Sequence, residues 1–396
     1  MIQISPETQL FIREHSSDDV RALALQAKKY PDINMPTAIT QIAGRQIAAE
    51  KIPSWREIEE IWYPKHLSLE QCSSEITARY KARLLQGDSL TDLTGGFGID
   101  CSFLATGFKS ATYVERQEEL CEIAAHNFPI LNLNHINVRN EDGVAYLQSM
   151  SPVDCIFLDP ARRNEHGGKT VAISDCEPNV AELEALLLSK ANRVMIKLSP
   201  MLDLSLALKE LKHTQEIHIL SVNNECKELL ILLGQTSPAE IAIHCVNLLT
   251  KGTQEEQHLV FTREQEQRSQ CTYTDSLGNY LYEPNASLLK AGAFRSIAAA
   301  YPVRKLHPNS HLYTSDSFIE NFPGRIFRIV NQYSFNKKEV KENLADLKKA
   351  NVTVRNFPAT VAELRKRLHL TEGGDTYLFA STLNNGQKVI IRCEKV

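Results

Sequence analysis

The chain has 396 residues, 43% of them hydrophobic and 23% charged, with a formal net charge of −4; this is the composition of a globular protein, too long for one ordinary domain. No run approaches the ~20 apolar residues of a membrane span, and the opening residues lack the basic-then-apolar layout of a secretory leader, so a cytoplasmic protein with no membrane partner is expected. The nine cysteines are scattered, without a Cys-x-x-Cys pair, which fits reduced thiols, most of them small core residues, better than a disulfide framework or a zinc site, so no metal is expected.

Residues 1–86 read as helical, with VRALALQAKKY carrying apolar residues at helical spacing and Pro31, Pro36, Pro53 and Pro64 punctuating the segments. From Ser89 the pattern changes to seven short apolar runs, SLTDL, ATYVE, INVRN, DCIFLD, RVMIKL, EIHILSV and ELLILLG. Helix-length segments separate the first six, so these connections suit right-handed parallel crossovers. Only NNECK separates the last two, which demands an antiparallel hairpin. The expected fold is therefore α/β, a doubly wound, mostly parallel seven-stranded sheet spanning 87–235. A small α+β insert is expected over 236–284. Residues 285–396 alternate strand and helix and end in two strands joined by Asn384-Asn385-Gly386, a hairpin signal.

The sharpest local pattern is Asp92-Leu93-Thr94-Gly95-Gly96-Phe97-Gly98, an acid at the end of the first strand followed by a glycine-rich turn into a helix. Glycine lets the backbone turn sharply and approach a ligand, and the helix start offers N–H groups to a carboxylate. The third glycine of a dinucleotide fingerprint would fall at Cys101, which tells against NAD or FAD. Glu115, at the end of the second strand, is spaced to accept both hydroxyls of an adenosine ribose. Asp142, after the third, is placed for the adenine amino group, and Asp92 for the amino group of a methionine moiety. The fourth strand ends Asp159-Pro160-Ala161-Arg162-Arg163. Here Asp159, with the chain stiffened by Pro160, is positioned to orient an acceptor or take its proton, and Arg162 and Arg163 to clamp a substrate phosphate.

DLTGGFGID, YVE, NEDG and LDPAR, in that order, resemble motifs I to IV of the class I S-adenosylmethionine-dependent methyltransferases. Ala161 and Arg162 replace the second proline and the aromatic residue of the amino-group methyltransferases, which tells against exocyclic-amine methylation. DPAR is closer to the element of RNA uridine-C5 methyltransferases, yet the fifth strand runs into Lys197-Leu198-Ser199-Pro200-Met201 with no thiol, and Cys226 is a distant substitute. LSLEQCSSEITA resembles the lead-in helix that closes over the cofactor, which implies a part for Gln71 and Ser74.

The chain as a whole resembles bacterial methyltransferases with a helical prefix, a small ferredoxin-like insert and a THUMP-like carboxy-terminal domain. The resemblance implies S-adenosylmethionine as cofactor and RNA, tRNA or rRNA, as partner. Charge supports the second point: 285–396 holds ten Lys and eight Arg against nine acids, with Lys337, Lys338, Lys341, Lys348 and Lys349 around one expected helix and Arg365, Lys366 and Arg367 on the next. The rival readings are a small-molecule methyltransferase and a non-catalytic RNA-binding protein that keeps the fold.

Overall fold

The computed structural model describes residues 4–162, 172–252, 254–344 and 347–396. The chain divides into two compact units, Met1–Gln215 with Leu230–Ser237, and Glu216–Leu229 with Pro238–Val396. No helix among the described residues is long and apolar enough to cross a membrane.

The first unit opens with helices Pro6–Glu14, Val20–Leu25, Met35–Lys51, Pro53–Arg56, His66–Gln71 and Glu75–Ala82. Ser5, Asp19 and Asn34 cap three of them, accepting hydrogen bonds from Thr8 N, Arg21 N and Thr37 N. Pro6, Pro36 and Pro53 stand in first turns, where a missing N–H costs nothing. Their apolar faces form two buried clusters. One gathers Phe11, Leu23, Met35 and Ile42; the other joins Ile52, Trp55, Tyr63 and Leu69 to Phe97, Ile99 and Ile123, so the prefix packs directly under the glycine-rich turn.

The large sheet contains β1 (Ser89–Asp92), β2 (Ser110–Glu115), β3 (Ile136–Asn140), β4 (Val153–Leu158), β5 (Ala191–Leu198), β6 (Thr214–Val222), β7 (Glu225–Gly234), β8 (Ala242–Leu248) and β9 (Glu256–Phe261). Their order is β9-β8-β6-β7-β5-β4-β1-β2-β3. All seven expected runs are strands, but the sheet has nine rather than seven: β8 pairs parallel with β6 and β9 antiparallel with β8. The added edge is driven by burial, since Ile243, Cys245 and Val246 are at most 1% exposed. Between β6 and β7, Asn223 and Asn224 both have positive φ, 48° and 70°, the two-residue turn that matches strand twist. β1 lies centrally with β2 and β4 parallel on either side, and β2 with β3 and β4 with β5 are parallel too. The carboxyl ends of β1, β2, β4 and β5 therefore share one sheet edge, where ligands of doubly wound sheets bind.

In the second unit, β10 (Tyr280–Pro284), β11 (Arg304–Lys305), β12 (Tyr313–Ser315), β13 (Gly324–Ser334), β14 (Asn351–Val354), β15 (Thr376–Thr382) and β16 (Lys388–Lys395) form a second sheet in the order β11-β12-β10-β13-β16-β15-β14. Helix Val361–Leu368 carries the chain from β14 to its parallel neighbour β15, and the Asn-Gly turn, with Gly386 at φ 85°, closes β15 on β16. The expected helix through Lys349 is shorter, Lys337–Leu344. Lys348 and Lys349 lie beyond it: Leu347 and Ala350 turn into the core with Leu344 and Leu370, and the Lys348 carbonyl accepts a hydrogen bond from Thr371 N.

Candidate active site

The glycine-rich turn is shaped by contacts that exclude other residues. A Cβ on Gly95 would stand 2.2 Å from the Tyr113 ring, and Gly98 has φ +86°, in the region where side chains strain the backbone. Internal bonds use most of the turn's donors: Thr94 N donates to Asp92 Oδ1 (3.0 Å), Gly95 N to the Val114 carbonyl (2.9 Å), Gly96 N to Glu115 Oε2 (2.9 Å) and Gly98 N to the Gly95 carbonyl (2.9 Å). The Tyr113 hydroxyl donates to the Gly96 carbonyl. The turn is thus rigid, and Glu115 is one of its pins, a role that spacing alone does not reveal.

Asp92 is 1% exposed, and burial holds its carboxyl well above the usual carboxylate range, despite the Thr94 N–H. Its Oδ2 is buried with no hydrogen-bond partner among the described residues. An unsatisfied buried oxygen is costly and needs a reason; a ligand cation or N–H would supply one. Glu115 accepts from Gly96 N through one oxygen and from Gln117 N through the other (2.9 Å each). A carboxylate offers about four acceptor positions, so capacity for two ribose hydroxyls remains. Asp142 caps helix Gly143–Ser149, its Oδ1 accepting from Val144 N and Ala145 N at 3.0 Å each, which leaves Oδ2 for another partner.

Thr94 ties the first strand end to the fourth, its Oγ1 accepting from Asp159 N at 2.6 Å. Asp159 leads into a buried charge chain that the motifs did not disclose. Asp159 Oδ2 meets Lys197 Nζ at 2.5 Å, Lys197 Nζ lies 3.3 Å from Asp100 Oδ2, and Lys81 Nζ is 2.9 Å from Asp100 Oδ1. Ser73 Oγ joins Asp100 at 2.7 Å and accepts from Lys81 at 2.8 Å. The Lys81 side chain is fully buried, those of Asp100 and Lys197 are 11% exposed and that of Asp159 is 36% exposed, so the chain opens to solvent at Asp159. The Asp100 carboxyl is drawn down to about 2 against its burial by Lys81 and Lys197. Burial pushes the Asp159 carboxyl up, with Lys197 opposing. A lysine ending an apolar strand, as Lys197 does in MIKLSP, was the available signal: a buried ammonium needs a carboxylate partner.

Other expected residues are placed differently. The Phe97 side chain is 4% exposed and packs edge-on against Trp55 at 5.3 Å, so it is core, and any part it plays for a ligand is through its backbone. Gln71 is exposed at the end of its helix; Ser74 precedes helix Glu75–Ala82, its hydroxyl turned to Thr77 Oγ1 (3.3 Å). Pro160 is buried. Arg162 pairs through its backbone with Cys176; its side chain and the whole of Arg163 lie outside the described residues. So do the side chains of Lys337, Lys338 and Lys341. Lys348, Lys349, Lys366 and Arg367 are exposed, Arg367 lies over the Phe335 ring at 4.4 Å, and Arg365 is bound to Glu372 at 3.1 Å.

A cleft in the helical prefix, between Arg13, Arg45, Glu60, Trp62 and His126, shares no residue with this site. Glu216, His218 and His244 bring three ligand-type atoms within 4.8 Å of one another. The His218 and His244 rings stack at 4.3 Å and 14°, so their nitrogen lone pairs lie in near-parallel planes and converge on one ion only if a ring turns. Burial, with His218 and His258 beside it, lowers the His244 pKa to about 4.

Residues 280–323 match the model of a ferredoxin-like domain family and 324–395 that of a THUMP domain-like family. No curated relative matches the chain. A crystal structure of a proposed methyltransferase from Porphyromonas gingivalis W83 is similar over 100% of both chains, at 34% identity and a TM-score of 0.87. An rRNA methylase from Streptococcus thermophilus covers 40% of this chain and 93% of its own at 15% identity, and a Streptococcus mutans protein bound to S-adenosylhomocysteine 40% and 96% at 12% identity, both with a TM-score of 0.30. The likeness at 34% identity over the full length of both chains shows the family: the chain belongs with the Porphyromonas protein, a family of proposed methyltransferases with ferredoxin-like and THUMP-like carboxy-terminal domains.

Proposed function

We propose that the protein transfers a methyl group from S-adenosylmethionine to RNA, with residues 324–395 presenting the substrate. The observation that carries the catalytic half is the buried Asp92 Oδ2, which has no hydrogen-bond partner among the described residues, beside a turn already rigid without a ligand. In this reading Asp92 receives the amino group of the methionine moiety, Glu115 the ribose hydroxyls and Asp142 the adenine amino group, while Gln71 and Ser74 border the cofactor from the lead-in helices. The cofactor supplies an electrophilic methyl on a positively charged sulfur. Asp159, braced by Lys197 and Thr94, aligns the acceptor, and most of the rate comes from that alignment.

The RNA half rests on the THUMP-like match and on the basic excess of 285–396, with Lys348, Lys349, Lys366 and Arg367 exposed. Arg365 stands on the same helix as Lys366 and Arg367, and Lys337, Lys338 and Lys341 on helix Lys337–Leu344; we assign RNA contacts to these as well, and substrate-phosphate contacts to Arg162 and Arg163 after the fourth strand. The test is incubation with radiolabelled S-adenosylmethionine and RNA from a strain lacking the protein, followed by identification of the labelled nucleoside. Label in RNA supports the reading. Label only in small molecules, with no salt-dependent RNA affinity, overturns it.

A further inference from the structure

We propose that the acceptor is a hydroxyl, the 2′-hydroxyl of an RNA ribose, whose proton passes to Asp159 while Lys197 holds that carboxylate in place. The inference rests on the RNA methyltransferase reading and adds the atom methylated.

The sign of the charge that develops on the acceptor separates the candidate chemistries. An amine gains positive charge as it takes the methyl group, and the Lys197 ammonium, 2.5 Å from Asp159, offsets the carboxylate that would stabilise that charge; the residues after Pro160 are Ala161 and Arg162, so no aromatic ring follows to stack a base. A carbon acceptor needs a nucleophile to activate the ring, and the thiol of Cys72, which feels the charges of Asp100 and Lys197, is pushed by burial to about 11 and donates to the Leu69 carbonyl at 3.1 Å. A protonated thiol attacks poorly. A hydroxyl, by contrast, turns toward an oxyanion as its proton leaves. It needs a carboxylate to take the proton and a fixed cation beside it, which Asp159 and Lys197 supply.

The rest of the chain explains how the pair keeps its shape. Asp100, held by Lys81 and Ser73, fixes Lys197 from behind at 3.3 Å, and Thr94 fixes the Asp159 backbone. Lys81 and Asp100 are too deep to meet a substrate; Asp159 is the open end. In the transfer step the acceptor oxygen bonds to the methyl carbon as the carbon–sulfur bond breaks, its electron pair stays on the now neutral sulfur, and the O–H proton moves to the Asp159 carboxylate. The 2′-hydroxyl is the donor and acceptor group that distinguishes RNA from DNA, so the same site would reject a deoxyribose strand. Lys197 acts through Asp159 and is a positioning residue. Among the described residues the titratable groups around Asp159 are Lys197 on β5, Lys81 on helix Glu75–Ala82, Asp100 on helix Ile99–Ala105 and Asp92 on β1.

The test uses the full chain, methyl-labelled S-adenosylmethionine and unmodified RNA, with the labelled product hydrolysed in alkali. A methylated 2′-oxygen cannot attack its phosphate, so label is expected in alkali-resistant dinucleotides. Label in ordinary mononucleotides would overturn the hydroxyl assignment and leave RNA methylation standing; no label in any RNA would remove both. Lys197→Met is expected to lower kcat by ~10²-fold or more, to move the acid limb of the kcat/KM profile to higher pH because Asp159 loses its cation, and to leave calorimetric affinity for S-adenosylhomocysteine within threefold. Lys197→Arg, which keeps the charge and guards against a folding defect, should recover part of kcat. Parallel loss of cofactor affinity in both variants, or an unmoved acid limb, would contradict the positioning role.

Discussion

Two buried carboxylates, one in each unit, illustrate how structural and functional charge differ. Glu283, 2% exposed in the second unit, is gripped by Arg325 and, at 3.0 Å, by Arg355, so both its oxygens are engaged in joining the ferredoxin-like segment to the THUMP-like one. Asp92, 1% exposed in the first, receives one backbone N–H, and its second oxygen has no hydrogen-bond partner among the described residues. The first arrangement secures a fold and the second waits for a partner. The same contrast holds at larger scale: around Asp159 a few charges converge and are fixed by neighbours, while Lys348, Lys349, Lys366 and Arg367 of the second unit lie exposed, where a cation contributes a field rather than a geometry.

Mutations should separate these roles, beginning with the largest effect. Asp159→Ala should reduce methyl transfer by ~10²–10⁴-fold and spare cofactor binding; equal loss of both in a folded variant would move Asp159 from the acceptor end to the cofactor. Glu283→Ala should destabilise the protein by about 3 kcal/mol in denaturant titration without changing S-adenosylmethionine affinity, and an unchanged midpoint would show that Glu283 is not a brace. Glu115→Ala should weaken the cofactor by about 1–3 kcal/mol by calorimetry, since it removes ribose acceptors and a pin of the turn. Replacing Lys348, Lys349, Lys366 and Arg367 by Gln should make the slope of log affinity for RNA against log salt shallower by about 2–3; an unaltered slope would place docking elsewhere.

The smallest effect has the most diagnostic sign. Because the folded-state pKa of Asp92 is raised, its ionisation works against folding, and the stability it contributes is present at low pH and lost as pH rises through that raised value. Asp92→Asn should therefore raise the Tm of the cofactor-free protein at neutral pH, by about 1 kcal/mol of added stability, while weakening cofactor binding. Glu283→Gln should do neither.

Much of this was legible in the sequence because it is local. Seven apolar runs, the first six separated by helix-length segments, declared the large sheet, Asn384-Asn385-Gly386 the closing hairpin of the second sheet, and Gly95, Gly96 and Gly98 the turn, since backbone geometry there tolerates nothing larger. What escaped depends on distance along the chain. Lys81, Asp100 and Lys197 read as ordinary charges until folding brings residues 116 positions apart into one chain of ion pairs. Phe97 sits within the motif but is core, because Trp55 and Tyr63 of the prefix pack against it. Ala242–Leu248 fell within the α+β insert expected over 236–284, and only the open edge of β6 makes it part of the large sheet.

Titration calorimetry with S-adenosylhomocysteine, run in parallel on wild-type protein, Asp92→Asn and Glu283→Gln, tests the central claim most directly. We predict binding of one molecule per wild-type chain, weaker binding to the first variant and unchanged binding to the second. Absence of heat and of any Tm shift with well-folded wild-type protein, or equal affinity in all three, would contradict the account.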